Sequence, residues 1–187
     1  SDADVVTLAE VSLRNRSLLT QLSDTYPYQF LCPLGNRLGE AVLSRLPMVP
    51  GSGFCTDPDA LAGMMIETEV GPVWVVALHV SWPWPYAQAR QIAQGVLPRL
   101  AGLEPAPVVL GGDFNSVAWQ NSVRSVERVT GSRRVGALRP TFALPPLGLP
   151  IGIDHVLGPG RGRITVMPGL GSDHNGVLAE IELLPRP

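Results

Sequence analysis

Lysine is missing from this chain: all 14 of its Lys and Arg positions are arginine. Arginine favours bidentate carboxylate or phosphate pairing, although a GC-rich coding bias explains the usage more simply. Charge of either sign is scarce, at 16% of residues against the usual quarter, which points to a large core under a bland surface. A formal net charge of -2 and a pI near 5.9 leave no global positive field to gather a polyanion. That counts against a protein whose main task is gripping duplex DNA. Arg124, Arg128, Arg133, Arg134 and Arg139 do cluster in one segment, but such a run is more often a solvated face. Cysteine occurs only as Cys32 and Cys55, with no CxxC or Cys/His cluster, which argues against a zinc site. One disulfide in an exported domain and two free core thiols suit that pair about equally. No apolar run reaches the roughly 18 residues of a membrane span, no signal peptide opens the chain, and repeats and linkers are absent.

At 187 residues the chain has the length of one domain, residues 1–187, and 45% hydrophobic side chains with mean hydropathy +0.18 give it a sizeable core. Residues 4–11 read as a buried strand carrying one acid, Glu10. Residues 12–24 read as a helix, with Leu13, Leu18, Leu19 and Leu22 at roughly helical spacing. Strands are expected at 26–32 and 40–44 around a turn-rich loop at 33–39, and 51–59 reads as loop. Residues 64–70 and 73–79 form a predicted antiparallel hairpin turning at Gly71-Pro72. Trp82-Pro83-Trp84-Pro85 cannot continue a central strand, because proline lacks the ladder donor. A helix is expected from Tyr86 to about Leu100, a short one over 122–129, and proline- and glycine-rich loop over 140–153. The last strands fall at 153–157, 163–167 and 176–184. Hairpins beside two strand-helix units argue for mixed α/β sheets.

The centre of this pattern is Pro107-Val-Val-Leu-Gly-Gly-Asp-Phe-Asn115. Its apolar run suits a strand buried on both faces, and Gly111-Gly112 would let a ligand approach the backbone. Asp113 and Asn115, two residues apart, point the same way if the extended conformation persists. Alone, such a pair is as often a turn former. Other apolar strands, however, carry the same kinds of side chain: Glu10, His79 and Asp154, joined by Asp173 and His174 before the last strand. Each has a bland reading as surface acid, core histidine or turn residue. Together they form a constellation, because ligands bind beyond strand ends in layered α/β folds.

The run Leu8-Ala9-Glu10-Val11, the Gly39-to-Arg45 strand, Leu78-His79, Gly112-Asp-Phe-Asn115, Ile153-Asp154-His-Val and Ser172-Asp-His174 resemble, in order, the motifs of the endonuclease/exonuclease/phosphatase superfamily. Gly-Asp-Phe-Asn followed by Ser-Asp-His is the specific part, and the match spans residues 4–184. The resemblance implies a four-layer αββα sandwich of two packed mixed β-sheets, an α/β fold, and a divalent cation, Mg²⁺ or Mn²⁺. It implies Glu10 as a metal ligand with Asp173 near the metal, and Asp113 as the group that orients or deprotonates the attacking water. Asn115 would hold that water or a phosphate oxygen. His79 and His174 would stabilise the transition-state phosphate, His174 oriented by Asp154 and His79 by Glu40 or Glu67. Arg37, Trp82 and Trp84 stand as substrate contacts. Members normally begin with a strand ending in asparagine, which this chain lacks, so the gene is expected to encode more residues upstream.

Two tryptophans stiffened by prolines beside His79 suit a stacked base or a membrane interface beside a lipid head group. The segment also resembles a bacterial subgroup whose catalytic domain follows membrane helices and faces outside the cytoplasm. The expectation is therefore a monomeric phosphoesterase acting on a small or lipid-linked phosphate ester near a membrane. A nuclease and a catalytically weak binding domain are the alternatives, with duplex DNA not favoured.

Overall fold

The computed structural model describes residues 2–12, 14–32, 39–56 and 60–183. One sheet has the order β1 (Val5–Val11), β3 (Gly39–Ser44), β2 (Tyr28–Leu31). A second has six strands, in the order β4 (Phe54–Cys55), β5 (Leu61–Thr68), β6 (Gly71–His79), β7 (Val108–Asp113), β11 (Asp154–Gly158) and β8 (Arg133–Arg134). Two hairpins form ladders of their own: β9 (Phe142–Leu144) with β10 (Leu149–Ile151), and β12 (Gly162–Met167) with β13 (Gly176–Ile181). Among the described residues only β6 and β7 pair in parallel, because a helical crossover joins them. That crossover is α2 (Gln88–Gln91), a π-helical turn at Ile92–Val96, and α3 (Leu97–Ala101).

Alternation along the strands sets the layers. Ala62, Met64 and Ile66 of β5 and Val73, Val75 and Ala77 of β6 meet Val42 of β3 in a core between the sheets. Their neighbours Leu61, Met65, Trp74, Val76 and Leu78 face the other way, beneath Ile92, Val96 and Leu100 of the crossover and Val123 and Val126 of α4 (Asn121–Thr130). On the far side Leu19 of α1 (Arg16–Gln21) covers Ala41 and Leu43. The result is the αββα sandwich that the motifs imply.

Several boundaries differ from expectation. The first helix keeps six residues of the expected 12–24. The β5–β6 hairpin turns at Glu69-Val70, because Thr68 pairs with Gly71 and Glu67 with Pro72; Gly71, at φ 105, closes the turn from inside the ladder. The stretch 51–59 holds β4, and 140–153 folds into the β9–β10 hairpin. Cys32 and Cys55 form a disulfide that ties the end of β2 to β4, and so one sheet to the other. Among the described residues no strand joins β1 to the β12–β13 ladder, and no helix is long and apolar enough to cross a membrane.

Candidate active site

Three adjacent strands deliver polar residues to one end of the sandwich. His79 is in register with Asp113 across β6 and β7, and Asp154 lies opposite Asp113 across β11 and β7. Glu10 approaches from β1, and His174 from the turn before β13. Glu10, His79, Asp113, Asn115, Asp154, Asp173 and His174 all line one cleft of about 730 Å³. A bulge produces the aim of Glu10: the β1 register shifts between Leu8 and Val11, and Glu10 takes φ 56.

His79 is held between two carboxylates. Its Nδ1 lies 3.6 Å from Glu40 Oε1 and its Nε2 3.5 Å from Glu10 Oε1. Glu40 is buried near the start of β3, and its Oε2 has no partner among the described residues. Glu67 sits at the distant end of β5, opposite Pro72. Burial opposes charging His79, but the hydrogen bond its ring N–H donates to Glu40 and the charges of Asp113, Glu10 and Glu40 outweigh it, so its pKa is raised. His174 is held likewise. Its Nδ1 is 2.9 Å from Asp154 Oδ2, its Nε2 4.0 Å from Asp113 Oδ2, and its ring rests on Phe142 at 4.6 Å. The bond to Asp154 raises the His174 pKa against partial burial, helped by the charges of Asp113 and Asp173.

Asp113 lies between these histidines. Burial, then the Asp154 charge, push its pKa up to about 6, against the lowering effect of the Asn115 N–H and the two imidazoles. The strand ends here. Asn115 turns into the left-handed region at φ 45, its amide N–H donating to Asp113 Oδ1 at 2.7 Å. Residues 113 and 115 therefore do not continue an extended face. Asn115 Nδ2 donates to the Val80 carbonyl at 2.8 Å, which fixes the amide's orientation and leaves Oδ1 buried without a partner among the described residues. Gly111 and Gly112 line the cleft and also make room for protein: a Cβ on Gly112 would strike the Leu78 carbonyl, and one on Gly111 would sit 2.8 Å from Thr7 Oγ1. His155, next to Asp154, faces away beneath the site. It bonds the Ser116 carbonyl at 2.8 Å, stacks edge-on against Phe114, and has its pKa lowered by burial.

Asp113, Asp154 and His174 each place a ligand-type atom within 4.8 Å of the others, among the described residues. Carboxylate oxygens suit a hard cation, and facing acids resist burial unless a positive charge joins them, so the two carboxylates of this group, Asp113 and Asp154, fit a divalent metal. Glu10 and Asp173 border the same cleft outside that group. Trp82 lines the cleft with its ring 5.9 Å from Phe142, whereas Trp84 is 85% exposed. Arg37 lies outside the described residues. No arginine among the described residues lines the cleft; Arg124 and Arg128 project from α4 into solvent. Sequence reasoning missed Phe142, hidden in a stretch that reads as loop.

Two sheets between helical layers, with carboxylate-backed histidines at one end, define the DNase I-like sandwich. The chain belongs to the Endonuclease/Exonuclease/phosphatase family, whose model matches residues 1–174. Among solved structures it is similar to beta toxin from Staphylococcus aureus (TM-score 0.69, 16% identity, covering 96% of this chain and 87% of that one). It is also similar to sphingomyelinase C from Streptomyces griseocarneus (0.67, 18%, 96% and 86%). A third is D. rerio TDP2 complexed with a single-strand DNA product (0.70, 18%, 93% and 84%). A further beta toxin structure contains bound magnesium ions (0.65, 17%, 96% and 87%). No curated protein sequence matches the chain.

Proposed function

We propose that this domain is a divalent-metal-dependent phosphoesterase that hydrolyses a small-molecule or lipid-linked phosphate ester by in-line attack of water. One observation carries the reading: Asp113, a carboxyl with a raised pKa, lies between two histidines, each backed by its own carboxylate. A base next to two cation-forming donors is what attack on a phosphate requires. Asp113 takes a proton from the attacking water, and the unpartnered Oδ1 of Asn115 accepts the water's other O–H. The new P–O bond forms as the ester P–O bond breaks, its electron pair leaving on the alcohol oxygen, which solvent protonates. His79 and His174, whose charged forms Glu40 and Asp154 favour, donate to the phosphate oxygens as negative charge builds there. Glu10, Asp173 and the Asp113–Asp154 pair would hold Mg²⁺ or Mn²⁺, which when bound supplies Lewis-acid charge to the phosphate.

The reading takes the domain to act as a monomer. The Cys32–Cys55 bridge supports an oxidising location, outside the cytoplasm. Turnover of bis-p-nitrophenyl phosphate, a lipid phosphate ester and plasmid DNA, with Mg²⁺ and with EDTA, tests the reading. Mg²⁺-dependent ester hydrolysis should fall by roughly 10² or more in Asp113→Ala. Nicking of plasmid alone would make the protein a nuclease; no turnover of any substrate leaves a binding domain.

A further inference from the structure

Three uncharged stretches of chain, 81–89, 140–153 and 168–172, each send at least one residue to the cleft. They share one rim. Trp82 and Tyr86 from the first, Phe142 from the second and Leu170 from the third line the same cleft, and Phe142 bridges to His174 and packs on Trp82. Beyond the cleft their apolar side chains project into water. Trp84 is 85% exposed, Tyr86 65%, Leu147 77%, Leu149 52% and Leu170 96%. Leu147 and Leu149 belong to the β9–β10 hairpin, which forms its own two-stranded ladder apart from both large sheets. Leu170 takes φ 47, a left-handed conformation costly for leucine, and in doing so contacts solvent rather than core. Converging apolar segments mark an interaction site.

We infer that this rim seats on the surface of a lipid bilayer, so that the phosphate ester reaching the cleft is carried by a lipid head group. The inference rests on the phosphoesterase reading for its substrate, but not for its docking. Tryptophan, tyrosine and leucine beside an uncharged loop match the bilayer interface, where one end of each aromatic is apolar and the other wet. Head-group phosphates lie at that depth. A polynucleotide fits poorly, because the described cleft residues include no arginine to neutralise successive phosphates. The same lack of cations separates this rim from polybasic surfaces that seek anionic lipids. Binding is therefore carried by apolar contact and is indifferent to head-group charge.

The test is cosedimentation with phosphatidylcholine vesicles and with vesicles containing phosphatidylglycerol, at low and molar salt. The chain should pellet with both, with little salt dependence. Leu147→Asp, an exposed change remote from the catalytic groups, should weaken partitioning roughly tenfold or more, while soluble bis-p-nitrophenyl phosphate turnover stays unchanged and vesicle-borne substrate turnover falls. A wild-type chain that stays in the supernatant overturns the inference, as does binding confined to anionic vesicles and abolished by salt. So does a dimer in sedimentation equilibrium that Leu147→Asp dissolves, since the rim would then cover a second copy. Vesicle binding without turnover of any ester defeats the phosphoesterase reading and leaves the docking intact.

Discussion

Asp113 has a native pKa of about 6 against an ordinary value of 3.8. A native carboxyl that keeps its proton longer than the unfolded one makes stability fall as pH rises between those two values, by at most about 3 kcal/mol. Denaturant unfolding in EDTA should therefore show Asp113→Asn gaining on the wild type from pH 4 to pH 6. A gap independent of pH would mean that the carboxyl is not held this way. The raised pKa values of His79 and His174 act in the same sense above pH 6.5, where their stabilisation is lost as they deprotonate. At this scale the sequence was legible wherever a polar residue ended an apolar strand: Glu10, His79, Asp113 and Asp154. The turn at Asn115 was not, because its conformation depends on a carbonyl 35 residues away, that of Val80. Glu40 was visible only as one of two candidates, since nothing local distinguishes it from Glu67.

At the scale of elements, the parallel β6–β7 pair is what sets His79 beside Asp113, and Gly112 lets the two backbones close. Gly112→Ala should put its methyl against the Leu78 carbonyl and lower Tm by roughly 5–10 °C. Gly95→Ala, in the crossover helix with open space around it, should leave Tm level or raise it slightly. Calorimetry of both variants checks the pair; equal shifts would show that the contact does not govern. Long apolar strands and the amphipathic α4 were readable from period alone. β4 and β8, two residues each, carry no periodic signal. The β9–β10 hairpin hid behind four prolines within 140–153, a composition that reads as loop because proline is normally confined to sheet edges. In a free two-stranded ladder both strands are edges.

Across the whole molecule the site is divided between two sheets: Glu10 and Glu40 belong to the three-stranded one, and His79, Asp113 and Asp154 to the six-stranded one. The layer order followed from the motifs and the alternation of apolar residues. The pairing of the cysteines did not, since it depends on how the sheets stack. Cys32 and Cys55 are 23 positions apart, and a loop of that size contributes about 3 kcal/mol by chain entropy. Beyond this, the bridge stops one sheet from slipping over the other. A mild reductant, touching no catalytic group, should then act as an inhibitor: thiol titration and turnover measured together would show activity fading as Cys32 and Cys55 become free. In an unbridged Cys32→Ser/Cys55→Ser chain, the same reductant should change nothing.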